Sequence, residues 1–383
     1  MNLLLIGHIS SGSDSGDASE IRTRFIKKGL EETGCHFKTI SYKYERVEEA
    51  RTDELDNLYS KVKLNGKLLV IYKALLAPWV LFFKLIMQRT YAEKIVVDRL
   101  PVYLSIPVFL FSIFFRKKTV LILNEFPQRI IHSEHSLRSM SEDLSVWALG
   151  KACDVLIIIS REHEKVYKQY VRKNSRTIVL PILMDCEKNV NSNIGENTPR
   201  RVIYAGTLSE SNGVTLLVKA AKQLIEAGVE HRLMIVGPSA SKQYTDELHE
   251  MVKNYNLSSV VEILPPKTNL EAVKLLSESD VLVIPKLDDQ RAVGYIPSKL
   301  GDFLFTGKPV VCSHLGDVPD YITDGVNGFL VKPDSIDSLT ECLSRVISNY
   351  DELKKVGYEG FNTSKEFDYR NQCERLNNIL KCQ

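Results

Sequence analysis

The residues of this 383-residue chain best suited to chemistry lie mostly in its second half, each group following a run of aliphatic residues. Residues 201–213 (RVIYAGTLSESNG) pass from an apolar run into small hydrogen-bonding residues, with Gly206, Thr207, Ser209, Asn212 and Gly213 ahead of a helical pattern that begins near Val214. Free backbone amides and the positive end of a helix dipole make such a turn an anion site; a routine strand-to-helix connection is the plain alternative. The run IVGP repeats the theme, with Gly237 allowing a backbone or a base to approach closely. Residues 281–332 are richest. A strand pattern ends at Pro285, a polar loop follows, and Pro297 suits the first position of a helix carrying Ser298, Lys299 and Asp302 in its first turns. Lys299 with that helix start suits a diphosphate, and Asp302 suits the acceptance of hydrogen bonds from ribose hydroxyls. Singly, each also reads as part of a solvated helix face. Near the N-terminus, GHISSGSDSG places Gly7 and Gly12 at the outer spacing of a phosphate-binding loop, but Ser13 and Asp14 stand where Lys and Ser/Thr belong. Gly7, Gly12 and Gly16 are too widely spaced for a dinucleotide fingerprint. Gly12, Ser13 and Gly16 therefore belong either to a loop touching a phosphate or an acceptor, or to a plain connection.

The elements needed to hold these residues follow an α/β pattern. Residues 2–7 are continuously apolar, as in a parallel strand covered on both faces. Residues 17–32 carry Ile21, Phe25, Ile26 and Leu30 at helical spacing, with Asp17 as a cap and Gly34 past the end. Strands are expected at 36–42, 94–97, 119–123 and 155–159 with helices between, an alternation that requires a parallel sheet with right-handed crossovers. Residues 185–200 turn polar and Asn-rich, and the alternation then restarts, with strands at 201–205, 232–236, 260–264, 281–284 and 309–312. The expected organisation is a first domain over 1–185, a linker over 186–200, a second domain over 201–360, and a C-terminal helix in 361–383 that packs back toward the first domain. Two doubly wound units leave a cleft, and ligands of open α/β sheets bind at the carboxyl ends of the strands.

Composition narrows the function classes. Lys plus Arg (50) nearly balances Asp plus Glu (48), so the chain has no broad field to attract nucleic acid, and no nucleic-acid partner is expected. The seven cysteines show no CxxC pair and no His at metal-ligand spacing, which fits reduced thiols of a cytosolic protein used as small core residues. The opening MNLLLIGHIS reads as a first strand rather than an export signal. Leu64 to Arg89 keeps Lys67, Lys73 and Lys84 among aromatics and falls short of the about 20 apolar residues of a spanning helix. It suits peripheral contact with anionic lipid, or ordinary packing. Residues 100–115 are uncharged but contain Pro101 and Pro107, and read as a buried helix.

The runs PSKLGDFLFTGKPVV and GDVPDYITDGVNGFLVKP resemble the donor-binding region of family 4 retaining glycosyltransferases, which have the GT-B fold of two Rossmann-like domains facing a central cleft. YAGTLSESNGVTLLVKAAKQL, LMIVGP, ACDVLIIISREHEKVY and IVLPILMD support the likeness, which covers most of residues 141–339. By that resemblance Asp302 matches the second Glu of the family's paired-glutamate motif, which binds the ribose. The first Glu falls at Gly294, so its role passes to Asp288 or Asp289, or is absent. The family's strand after the linker ends in Gly-Arg, with a Lys before a later Gly, and those cations bind the diphosphate; here stand Gly206-Thr207 and Asn212-Gly213. Lys299, with Lys286 or Arg291, is the expected replacement. Where the family often places a His near the sugar, this chain has Asn124-Glu125, which makes Glu125 the candidate for contacting the transferred sugar or the acceptor hydroxyl. The resemblance implies transfer of a hexose-type sugar from a nucleotide-sugar donor to a hydroxyl, with retention. The interface-like stretch from Leu64 to Arg89 suggests a saccharide or lipid-linked saccharide acceptor of surface polysaccharide or glycolipid assembly, and the expected place is the cytoplasm or the inner face of the cell membrane. No cofactor is expected beyond the nucleotide diphosphate sugar as co-substrate, and no metal, since no Asp-x-Asp cluster accompanies the site. A non-catalytic partner subunit and a nucleotide-sugar epimerase are the alternatives.

Overall fold

A computed structural model describes residues 1–9, 18–42, 55–59, 66–126, 136–187, 197–289 and 292–382. Gly12, Ser13 and Gly16 of the first loop, Arg291, and most of the stretch read as a linker lie outside the described residues. The chain divides into two units, Met1–Leu183 joined by Tyr369–Gln383, and Met184–Asp368.

In unit 1 the elements run β1 (Asn2–Gly7), α1 (Ala18–Glu32), β2 (His36–Ser41), β3 (Leu55–Asn57), α2 (Gly66–Leu75), α3 (Ala77–Met87), β4 (Lys94–Asp98), α4 (Val102–Phe114), β5 (Lys118–Leu123), α5 (Leu137–Ala152), β6 (Val155–Ile158), α6 (Arg161–Tyr167) and β7 (Arg176–Val179). The strands form one parallel sheet in the order β3-β2-β1-β4-β5-β6-β7. Continuous aliphatic strands are the signature of a sheet covered on both faces, and both faces are covered. Leu4, Ile6, Ile95 and Leu121 point into a core with Leu81, Leu104 and Phe111 of α3 and α4. Leu3, Leu5, Val96 and Val120 face Ile26 and Leu30 of α1, together with Cys373, Leu376 and Leu380 from the end of the chain. Those last three residues sit on α13 (Tyr369–Lys381), so the final helix completes the core of unit 1. Tyr369 donates to Glu32 Oε1 at 2.7 Å and fixes its start.

Residues 100–115 differ from the sequence expectation. α4 buries Leu104, Val108 and Phe111 but exposes Ile106, Leu110, Ile113 and Phe114. Periodicity in a stretch apolar all round does not reveal which face meets solvent, because no polar stripe marks it.

Unit 2 comprises β8 (Arg200–Ala205), α7 (Val214–Glu226), β9 (His231–Val236), α8 (Lys242–Asn254), β10 (Val261–Leu264), α9 (Asn269–Ser277), β11 (Val281–Ile284), α10 (Leu300–Phe305), β12 (Val310–Ser313), β13 (Phe329–Val331), α11 (Ile336–Ser348) and α12 (Tyr350–Ser364). Its parallel sheet has the order β10-β9-β8-β11-β12-β13. The order reverses at β8, so a topological switch point, the usual ligand position, falls between β8 and β11. Residues placed there by sequence reasoning, Gly206 to Gly213 and Lys286 onward, therefore sit on adjacent strand ends.

Candidate functional site

The loops at the carboxyl edge of unit 2 are held against one another by backbone approaches that leave no room for a side chain. Gly213, at φ 75°, caps α7; a Cβ there would lie 1.7 Å from the carbonyl oxygen of Pro285, just after β11. Gly237, at φ 149°, follows β9, and its Cβ would lie 1.9 Å from the carbonyl oxygen of Gly206, after β8. Both positions combine a backbone region that L-residues avoid with a contact only glycine permits. The β8 loop is further tied within itself. Thr207 C=O accepts from Tyr204 OH at 2.8 Å and from Asn212 Nδ2 at 2.9 Å, and Ser209 Oγ accepts from the Asn212 amide at 3.3 Å. The small polar residues singled out in the sequence thus shape the turn that leads into α7, a 13-residue helix whose first amides have no partner within it.

Lys286 lies where β11 ends and is 4% exposed. Its ammonium donates to Ser211 C=O and to Asp289 Oδ2, each at 2.9 Å, while the Leu287 amide donates to the same Ser211 oxygen at 3.1 Å. Lys286 is a tie between the β8 and β11 loops, and its charge is already met by Asp289. Asp288 is held through its amide by Asp334 Oδ1 at 3.1 Å. The Tyr295 ring lies 5.9 Å from the Lys286 ammonium.

The helix expected to start at Pro297 begins at Leu300 and runs six residues. Pro297 is buried, and its C=O accepts from the Leu300 amide at 2.9 Å, so residues 297–299 form the turn before the helix rather than its first turn. So short a helix offers little dipole, which leaves the start of α7, a 13-residue helix, as the candidate anion site of this unit. Ser298 is exposed. Lys299, about half exposed, stands 3.8 Å from Asp302 Oδ2, an open pair that a ligand can separate at small cost. Gly294, at φ 61°, is buried and carries no carboxylate.

In unit 1 the carboxyl edge is organised around Arg22, which sequence reasoning missed. Arg22 lies on α1, 4% exposed, donating to Leu180 C=O at 2.5 Å, Pro181 C=O at 3.2 Å and Ile158 C=O at 3.3 Å, and to Asn124 Oδ1. Burial pulls its guanidinium down to about 10, opposed by Asp98. Asn124 in turn donates to Ser19 Oγ at 2.6 Å. The only sequence signal was an Arg beside Ile21 in an amphipathic helix, which usually means a solvated face. Glu125 is exposed, and its carboxylate accepts from Arg99 Nη1 at 2.6 Å; Arg99, itself at a positive φ of 28°, also pairs with Glu142. An ion pair of this exposure is weak enough to open to a ligand.

Behind Glu125, the buried His163 stacks on Phe126 at 3.8 Å between ring centres, with Ser160 Oγ 2.7 Å from Nδ1. Burial, with a smaller contribution from Arg22, pushes its pKa down to about 3, against 6.5 unperturbed. The unfolded chain therefore takes up this proton below about pH 6.5 while the folded one does not, and stability falls as pH drops from 6.5 toward 3. His163→Gln is expected to flatten that part of the acid limb in a Tm-against-pH series; an unchanged slope would show that His163 does not carry it.

The comparisons with known proteins agree on the architecture. Residues 187–363 match the model of the family described as glycosyl transferases group 1. A D-inositol 3-phosphate glycosyltransferase of Corynebacterium aurimucosum is 23% identical over 181 residues, 46% of this chain and 42% of that protein. A putative colanic acid biosynthesis glycosyltransferase, WcaL of Escherichia coli K12, is 28% identical over 149 residues, 38% of this chain and 36% of that one. The matched stretch thus spans less than half the length of these relatives. Among solved structures, sucrose-phosphate synthase from Thermosynechococcus elongatus aligns with a TM-score of 0.74 at 16% identity over 99% of this chain and 98% of that one. HepE of Anabaena in complex with UDP and glucose aligns at 0.69 and 16% over all of both chains. The fold is GT-B, built of two Rossmann-like domains.

Proposed function

We propose that this chain, whose residues 187–363 match the model of the group 1 glycosyl transferases and whose fold is GT-B, transfers a hexose-type sugar from a nucleoside diphosphate donor to a hydroxyl with retention. The observation that carries the reading is the joined pair of loops at the β8/β11 switch point, locked by Gly213 and Gly237 beside the first-turn amides of α7, which no side chain caps. In this reading the diphosphate lies at those amides, Asp302 accepts from the ribose, and Lys299 leaves its pair with Asp302 to meet the charge that develops on the leaving group. Lys286 acts by holding the loops in place. The bond from the anomeric carbon to the donor phosphate oxygen breaks as the acceptor oxygen bonds on the same face. The acceptor's proton passes to the departing phosphate oxygen. Charge on the diphosphate is met by these groups, so no divalent cation is required. Glu125, once its pair with Arg99 opens, is the candidate contact for the transferred sugar or the acceptor hydroxyl.

HepE was solved with UDP and glucose, which makes uridine diphosphate hexoses the first donors to try. The WcaL relatives are named for colanic acid biosynthesis, which supports a role in polysaccharide biosynthesis, and a saccharide or lipid-linked saccharide at the inner face of the cell membrane is the acceptor class we infer. The test is proton NMR of the product formed from a donor of known anomeric configuration, with and without EDTA. An axial donor linkage should give an axial product at an undiminished rate; inversion, or loss of rate with EDTA, would contradict the mechanism. A second reading, a non-catalytic partner subunit, is favoured by one observation: Lys286 is spent within the protein, and Thr207 and Asn212 carry no charge. Donor binding without any turnover or hydrolysis would select it.

A further inference from the structure

The outer face of three adjacent helices in unit 1 is apolar, and no part of the chain is described as covering it. α3 packs on α4 and α4 on α5, with Phe82 against Phe111 at 6.4 Å and Phe109 against Trp147 at 6.3 Å. Their inner faces belong to the core, where Leu81, Leu85, Leu104 and Val108 are fully buried. Their outer faces present Trp79 and Phe83 on α3, Leu110 and Phe114 on α4, and Met140 and Trp147 on α5. On each helix the two residues stand one or two turns apart, so they form stripes, and three stripes on adjacent helices make an exposed apolar face of the kind that marks an interaction site. Both tryptophans of the chain are in it, Trp79 at 67% exposure and Trp147 at 46%.

We propose that this face docks on an anionic bilayer surface, with α3, α4 and α5 lying along the interface. Charge selects the occupant. Exposed Arg89 follows α3 and exposed Arg116 follows α4, and residues 66–92 carry no acidic side chain; Lys84 is paired with Asp56 and Lys118 with Asp154, so the two arginines are the charges this face offers. A plane of aromatic and aliphatic side chains edged by cations matches acyl chains edged by anionic headgroups, and tryptophan favours that boundary. Spanning is not the arrangement. Among the described residues no single helix is long and apolar enough to cross a membrane, and the bent pair at Leu69–Leu75 and Ala77–Met87, kinked by 49°, would have to give up the core contacts of Leu81 and Leu85. The face belongs to unit 1 and the donor loops to unit 2, so this docking stands or falls separately from sugar transfer.

The tryptophans report it directly. Titrating the full chain with vesicles of phosphatidylglycerol and phosphatidylcholine should shift Trp emission to the blue, less so with phosphatidylcholine alone or at high salt. The Trp147→Phe variant should keep the response, read from Trp79. Phe83→Ser with Phe114→Ser should weaken vesicle binding by about tenfold or more while leaving Tm and the binding of nucleotide to unit 2 close to wild type. Equal binding by that variant, no binding to anionic vesicles, or self-association in light scattering that the same substitutions abolish, would each overturn the proposal; the last would make the occupant a second copy of this chain.

Discussion

Replacing Lys299 by alanine should lower kcat/KM for the nucleotide-sugar donor by about a hundredfold to a thousandfold, the loss typical when one donor to a developing negative charge is removed. Most of the loss should appear in kcat, because the ammonium is paired with Asp302 before reaction and is needed most as the leaving diphosphate gains charge. Lys299→Arg should recover part of the rate, since it keeps the charge. Folding should be unaffected: the side chain is half exposed and its ion pair spans 3.8 Å, so it contributes little to stability. An alanine variant with unchanged turnover would remove Lys299 from the mechanism and leave the α7 amides as the only diphosphate contact proposed for unit 2.

The second large effect is structural. Gly237→Ala forces a Cβ to 1.9 Å from Gly206 C=O and Gly213→Ala forces one to 1.7 Å from Pro285 C=O. Neither neighbour is a flexible side chain tip, so the backbone must separate and the loops at the switch point must part. A cost of roughly 3 kcal/mol or more is expected for each, combining strained φ with the clash. Gly228→Ala is the control: it has φ 75° like Gly213 but nothing within 4 Å of the added atom, and should cost only about 1 kcal/mol. Thermal unfolding separates these cases, and nucleotide binding should weaken in the first two and persist in the third. If all three lowered Tm equally, the close approaches would not be what holds the loops.

How much of this was legible in the sequence depended on range. Parallel strands buried on both faces are aliphatic runs, so Asn2–Gly7 and Val281–Ile284 stood out, and turn residues beside them marked the loops. The role of Lys286 was not legible, because its partner Ser211 is 75 residues away, and only the adjacency of β8 and β11 brings them together. Arg22 was hidden for the same reason, its acceptors lying more than a hundred residues on at the ends of β5, β6 and β7. The start of α10 was misplaced by three residues since Pro297 suits a turn as well as a helix start. The exposed side of α4 could not be read from a stretch without a polar stripe.

The most direct test of the central claim, that unit 2 holds a nucleoside diphosphate sugar, is a thermal-shift series of the purified chain against uridine, guanosine and cytidine diphosphates and their sugars. A ligand that binds only the folded state raises Tm, by an amount corresponding to about 2.7 kcal/mol at a hundred times Kd. One nucleotide and its sugar should stabilise the chain selectively, and less so in Gly237→Ala. No shift with any member at millimolar concentration would contradict the claim.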